Sequence, residues 1–120
     1  MENKLQNKVK KAVFAIDDKL GKDIKVLDIH AVSSIADYFI IANGSNKNHV
    51  HSIVDNIEEL LREEGYHPKQ VEGYHSANWI LLDYGDIIIH IFDEENRSFY
   101  NMDKMWKDGI ELSVQELLLK

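Results

Sequence analysis

The segment that most limits what this chain can fold into is Trp79-Ile80-Leu81-Leu82-Asp83-Tyr84-Gly85-Asp86-Ile87-Ile88-Ile89-His90-Ile91-Phe92. Two apolar runs of strand length flank a glycine, the pattern of an antiparallel hairpin with a tight turn. Taking Tyr84-Gly85 as the central turn residues sets Asp83 opposite Asp86, Leu82 opposite Ile87, Leu81 opposite Ile88, Ile80 opposite Ile89 and Trp79 opposite His90. Side chains alternate between faces along a strand. Ile80, Leu82, Ile87, Ile89 and Ile91 therefore form one wholly aliphatic face suited to a core. Trp79, Leu81, Asp83, Asp86, Ile88, His90 and Phe92 form the other.

An aliphatic sheet face needs a cover, and the sequence offers helices for it. From Leu5 to Leu20 the residues Leu5, Val9, Ala12, Val13, Ile16 and Leu20 recur at spacings of three and four, and Gly21 supplies a stop. Ser45 or Asn46 can cap a second helix reaching about Glu64, with Val50, Ile53, Val54, Ile57, Leu60 and Leu61 as its apolar stripe and Gly65 closing it.

Ile24 to Ile29 reads as a first strand, and Asp37 to Asn43 as a nearly continuous apolar strand in the middle of a sheet. Gln70 to Gly73, after the one proline at Pro68, reads as a short edge strand. Asn96 to about Met105 and Leu112 to Leu119 read as short helices. The expected fold is α/β: a mixed sheet of about five strands with flanking helices, in one domain spanning residues 1–120.

Composition narrows the function classes. Without cysteine there is no disulfide framework, thiol nucleophile or zinc-thiolate site, and a reducing cytoplasm fits best. No apolar run long enough for a signal peptide or a membrane span occurs. The 14 basic and 21 acidic residues give a net charge of -7, the wrong sign for wrapping a phosphate backbone. Work near nucleic acid is then expected to proceed through a basic protein.

The second hairpin face combines aromatic, aliphatic and carboxylate groups as protein interfaces do, yet a covering helix would make Trp79 ordinary core and His90 a satisfied buried histidine. Asp83 and Asp86 read either as a carboxylate pair for metal or acid/base work or as solvated turn residues. His49 and His51 point apart on a helix, and His30, His67 and His75 add no ligand spacing, so no metal or other cofactor is expected. Gly44-Ser45 opens a helix where phosphate could sit, although no phosphate-cradling glycine loop accompanies it.

Several blocks together resemble a known family. Asp37-Tyr38-Phe39-Ile40-Ile41-Ala42-Asn43-Gly44-Ser45, Asn48-His49-Val50, Val71-Glu72-Gly73 and the hairpin block, followed by Arg97, Tyr100 and Met105-Trp106, resemble the RsfS/Iojap ribosomal silencing factors. The resemblance runs from about residue 4 to residue 110, and Asn43, Met102 and Met105 are minor departures.

It implies a fold similar to the nucleotidyltransferase superfamily without its activity: Gly44-Ser45 looks like the remnant of a glycine-serine motif, but the stretch between the second helix and Trp79 holds no Asp. It also implies a non-enzymatic translation repressor of the cytoplasm. Such a protein binds the large ribosomal subunit through the ribosomal protein numbered fourteen in the universal scheme and blocks joining of the small subunit.

By this resemblance the contact falls on Trp79, Leu81, Asp83, Tyr84, Asp86, Ile88 and His90, flanked by Arg97, Tyr100, Met102 and Trp106. Trp79 is the expected anchor. A homodimer through the same apolar surface is a further expectation. The competing readings are a residual nucleotide-binding or nucleotidyl-transferring enzyme using Gly44-Ser45 and the Asp83/Asp86 pair, and a large-subunit assembly factor with no part in subunit joining.

Overall fold

The computed structural model describes residues 2–96 and 109–119. Helix α1 (Glu2–Asp18) leads into β1 (Lys22–Asp28) and β2 (Tyr38–Gly44); α2 (Lys47–Glu63) follows. Then come β3 (Gln70–Glu72), β4 (Trp79–Asp83), β5 (Ile87–Asp93), β6 (Ile110–Leu112) and a short α3 (Val114–Leu118). The strands form one mixed sheet in the order β3-β4-β5-β2-β1-β6. Among the described residues only β2 and β5 run parallel, from Tyr38 beside Ile87 to Gly44 beside Asp93; the other pairs are antiparallel. The chain between these two interior strands contains α2, as a parallel crossover requires.

Both long helices cover one face of the sheet. Val9, Ala12, Val13 and Ile16 of α1 and Val50, Ile53, Val54, Ile57 and Leu61 of α2 pack on Ile40, Ala42, Ile80, Leu82, Ile87, Ile89 and Ile91 in one buried cluster. Burying one aliphatic side chain of this size contributes about 1.5–3 kcal/mol, so this layer dominates stability. Asn56, the polar member of the α2 stripe, turns its Nδ2 onto the Ala15 carbonyl at 2.9 Å and so satisfies the end of α1.

Among the described residues the expected mixed sheet of about five strands has six. The sixth, Ile110–Leu112, pairs with β1, and the helix expected over Leu112 to Leu119 shrinks to Val114–Leu118 behind a Ser113 cap. Leu20 also departs from its expected place. The helix ends at Asp18, Leu20 takes a left-handed φ of 62°, and its side chain is 76% exposed. Gly21 contributes closeness, since a Cβ there would stand 2.3 Å from Ile16 Cγ2. The expected helix from Asn96 to Met105 lies mostly outside the described residues.

Candidate protein interface

The hairpin closes one residue later than the turn chemistry suggested. Trp79 stands opposite Phe92, Ile80 opposite Ile91, Leu81 opposite His90, Leu82 opposite Ile89 and Asp83 opposite Ile88. Tyr84 N–H donates to the Ile87 carbonyl at 2.9 Å, leaving Gly85-Asp86 as the central pair. Gly85 has φ 93° and Asp86 is not among the residues with positive φ, which fits a turn with glycine in its first central position. Every partner therefore shifts by two residues. A shift of two preserves the faces, whereas a shift of one would have exchanged them.

The register change does relocate the turn residues. Tyr84 falls beside Ile87 on the helix side, 5% exposed, inside the main core. Its hydroxyl is buried without a hydrogen-bond partner among the described residues, and burial pushes its pKa well above the usual tyrosine value. Tyr84 thus lies on the helix side of the sheet, away from the face that carries Trp79 and Leu81.

Asp86 sits in the turn rather than opposite Asp83. Its Oδ1 accepts from Lys8 Nζ at 2.8 Å, and the lysine, its side chain 10% exposed, also stands 4.7 Å from the Tyr66 ring centre. Asp83 Oδ1 accepts from Gly85 N–H at 2.8 Å. The two carboxylates thus have separate duties, and no cluster of three metal-ligating side chains occurs among the described residues.

The second face carries its own cluster of Leu27, Ile29, Ala36, Phe39, Ile41, Ile88 and Phe92, with Trp79 and Leu81 half-buried at its edge. His90 is 2% exposed within it. Trp79 stacks on its cross-strand neighbour Phe92, 5.5 Å between centroids at 23°. Diagonally across the strands, Trp79 Nε1–H donates to His90 Nδ1 at 3.0 Å. Burial pushes the His90 imidazole down to about 4, so it is neutral near pH 7 and able to accept.

Solvent reaches only part of this face. Trp79, Leu81 and Asp83 of β4 are partly exposed, while Ile88, His90 and Phe92 of β5 are buried. Next to β4 the edge strand β3 sets Gln70 beside Asp83 and Glu72 beside Leu81, all of β3 being exposed. The accessible patch is therefore Trp79 and Leu81 bordered by Asp83, Glu72 and Gln70. Glu72 lies in the expected edge strand but outside the contact set expected from the sequence, although alternation in β3 sets it on the face of Leu81. Arg97, Tyr100, Met102 and Trp106 lie outside the described residues.

The helix opening at Gly44-Ser45 is internally satisfied. Asn46 Oδ1 accepts from His49 N–H at 2.9 Å, and Ser45 N–H donates to His49 Nδ1 at 2.8 Å. That leaves the His49 Nε2 proton to donate to the Lys19 carbonyl at 2.7 Å. A phosphate seated there would have to displace both side chains. His51 instead stacks on Tyr74 at 4.3 Å, so the two histidines serve different neighbours. No helix among the described residues is long and apolar enough to cross a membrane.

Comparison with known proteins gives these features a context. The family model described as "Ribosomal silencing factor during starvation" matches residues 2–119. A ribosomal silencing factor RsfS of Bacillus subtilis is 40% identical over 101 residues, which is 84% of this chain and 86% of that protein. One from Halalkalibacterium halodurans is 34% identical over 107 residues, 89% of this chain and 92% of that protein. A crystal structure of a protein from Chromobacterium violaceum superposes with a TM-score of 0.83 at 30% identity, covering 90% of this chain and 89% of the other. With its fold and nearly its whole length matched in this way, the chain belongs to the RsfS family of ribosomal silencing factors.

Proposed function

We propose that this protein represses translation by binding the large ribosomal subunit through its universal protein fourteen and sterically blocking association with the small subunit, without catalysis. The observation that carries the reading is the patch on β4 and β3: a half-buried tryptophan and leucine bordered by Asp83 and Glu72. Aromatic anchors inside a polar rim are the usual anatomy of a protein interface. The acid rim and the net charge of -7 suit a lysine- and arginine-rich ribosomal protein and oppose direct binding to rRNA phosphates.

In this reading Trp79 and Leu81 are the anchors, and Asp83 and Glu72 attract the partner's basic groups. Ile88 and His90 support the anchors from beneath. Arg97, Tyr100, Met102 and Trp106 remain part of the proposed contact on the strength of the family resemblance. The working site is the cytoplasm, where ribosomal subunits meet. A homodimer formed through Trp79 and Leu81 would compete with the ribosomal partner for the same patch.

The enzyme reading is disfavoured by the Gly44-Ser45 helix opening, whose donors and acceptors serve one another, and by the separate engagements of Asp83 and Asp86. The test is a titration of the isolated, purified ribosomal protein fourteen with wild-type protein and with Trp79→Ala, followed by calorimetry. Saturable binding by wild type, weakened by about 2 kcal/mol or more in Trp79→Ala, is expected. Equal affinity in a folded Trp79→Ala protein contradicts the assigned patch, and saturable binding of a nucleoside triphosphate with magnesium in a parallel titration would favour the enzyme reading.

A further inference from the structure

His90 occupies a position that an apolar residue would fill at lower cost. Its ring is 2% exposed, with the Phe39 centroid 4.8 Å away at a tilt of 58° and the Phe92 ring nearly parallel at 6.5 Å. Indole N–H only donates, so the contact from Trp79 Nε1 at 3.0 Å requires an unprotonated Nδ1 and leaves the proton on Nε2. That Nε2 is buried and has no hydrogen-bond partner among the described residues. An unpaired buried donor costs free energy that phenylalanine or leucine at the same place would not incur.

What the histidine supplies is direction. Among the described residues, stacking on Phe92 at 5.5 Å holds the plane of the Trp79 ring, but a stack is nearly indifferent to which edge of the indole turns toward the sheet. A hydrogen bond to one nitrogen selects a single orientation. We infer that His90 is a positioning residue for partner recognition, fixing the edge that Trp79 presents so that this anchor is ordered before binding. The role rests on the reading of Trp79 as a partner contact. An anchor already held in its bound orientation loses less side-chain freedom on association.

The test combines indole N–H exchange, followed by NMR on 15N-labelled protein and assigned with Trp79→Phe, with affinity for purified large ribosomal subunits. His90→Leu and His90→Phe remove the acceptor; His90→Gln returns one. The expected result is indole exchange about tenfold faster and affinity about tenfold weaker in the Leu and Phe variants, with both moving back toward wild type in His90→Gln. Their urea midpoints stay at or above wild type, separating orientation from fold stability. If one of the two apolar variants fails to fold, the other carries the comparison.

An indole N–H that exchanges at the wild-type rate in His90→Leu overturns the inference, as does affinity within about twofold of wild type once the bond is gone. Wild-type protein that does not bind large subunits overturns the partner reading, and the role of His90 falls with it. The exchange data tell these failures apart, because they report the Trp79 bond whether or not a ribosome binds.

Discussion

The two faces of the sheet use the same strands for different ends. Under α1 and α2 the buried residues are mostly branched aliphatics with a few alanines, such as Ile40, Ile80, Leu82, Ile89 and Ile91, which need nothing from their neighbours except volume. Across the same strands, Phe39, His90, Phe92 and Trp79 form a chain of tilted and stacked rings, with a directional hydrogen bond from Trp79 to His90. Aliphatic packing fixes the fold, and aromatic and polar groups fix an orientation. One strand pair can thus hold an aliphatic stability layer and the proposed recognition layer back to back, because alternation keeps their side chains apart.

Substitutions on the two sides should therefore separate stability from binding. Ile89→Ala, at a fully buried site under the helices, should lower unfolding free energy by about 2–5 kcal/mol in a urea melt while the folded fraction keeps its affinity for the large subunit. Trp79→Ala should do the reverse, costing about 2 kcal/mol or more of binding and less in the melt. A Trp79→Ala protein that unfolds as readily as Ile89→Ala would erase the distinction between the faces.

Acid should act through the second face. Burial holds the folded His90 pKa at about 4, below its ordinary 6.5, so as pH falls the unfolded chain takes up the proton first. Stability is then lost between about pH 6.5 and about pH 4, by about 1 kcal/mol per pH unit within that window, with no further loss from this group below it. His90→Phe should flatten this part of a pH series of urea melts.

The smallest effect is expected at the rim. Asp83→Asn should weaken binding by less than about 1 kcal/mol and reduce its salt dependence, since a partly exposed charge contributes mainly to encounter.

Much of this was legible in the sequence, for reasons that can be named. The helix stripes were read correctly at Val9, Ala12, Val13 and Ile16 and at Val50, Ile53, Val54 and Ile57, because a 3.6-residue period repeats enough to average out single exceptions. The hairpin faces came through a wrong register unharmed, since the error was two residues and the strand period is two. The place of Tyr84 did depend on the register: in the turn it has no face, while its pairing with Ile87 sends it into the core.

Other features carried too little local signal. Ile110–Leu112 is three residues long, too short for a periodic pattern, and exists as a strand because β1 offers an edge. The Lys8–Asp86 contact joins residues 78 apart, and nothing in either neighbourhood marks it. The bond from Trp79 to His90 depends on side-chain rotamers, which alternation does not specify.

Silencing by steric exclusion requires that the protein prevent ribosomal subunits from joining. Purified large and small subunits would be sedimented at joining magnesium concentrations with wild-type protein, with Trp79→Ala/Asp83→Ala, and with no addition. Wild type is expected to travel with the large subunit and deplete the joined ribosome peak, while the double variant does neither. Wild type that travels with the large subunit and leaves the joined peak intact would contradict silencing by steric exclusion and point to a role in subunit assembly.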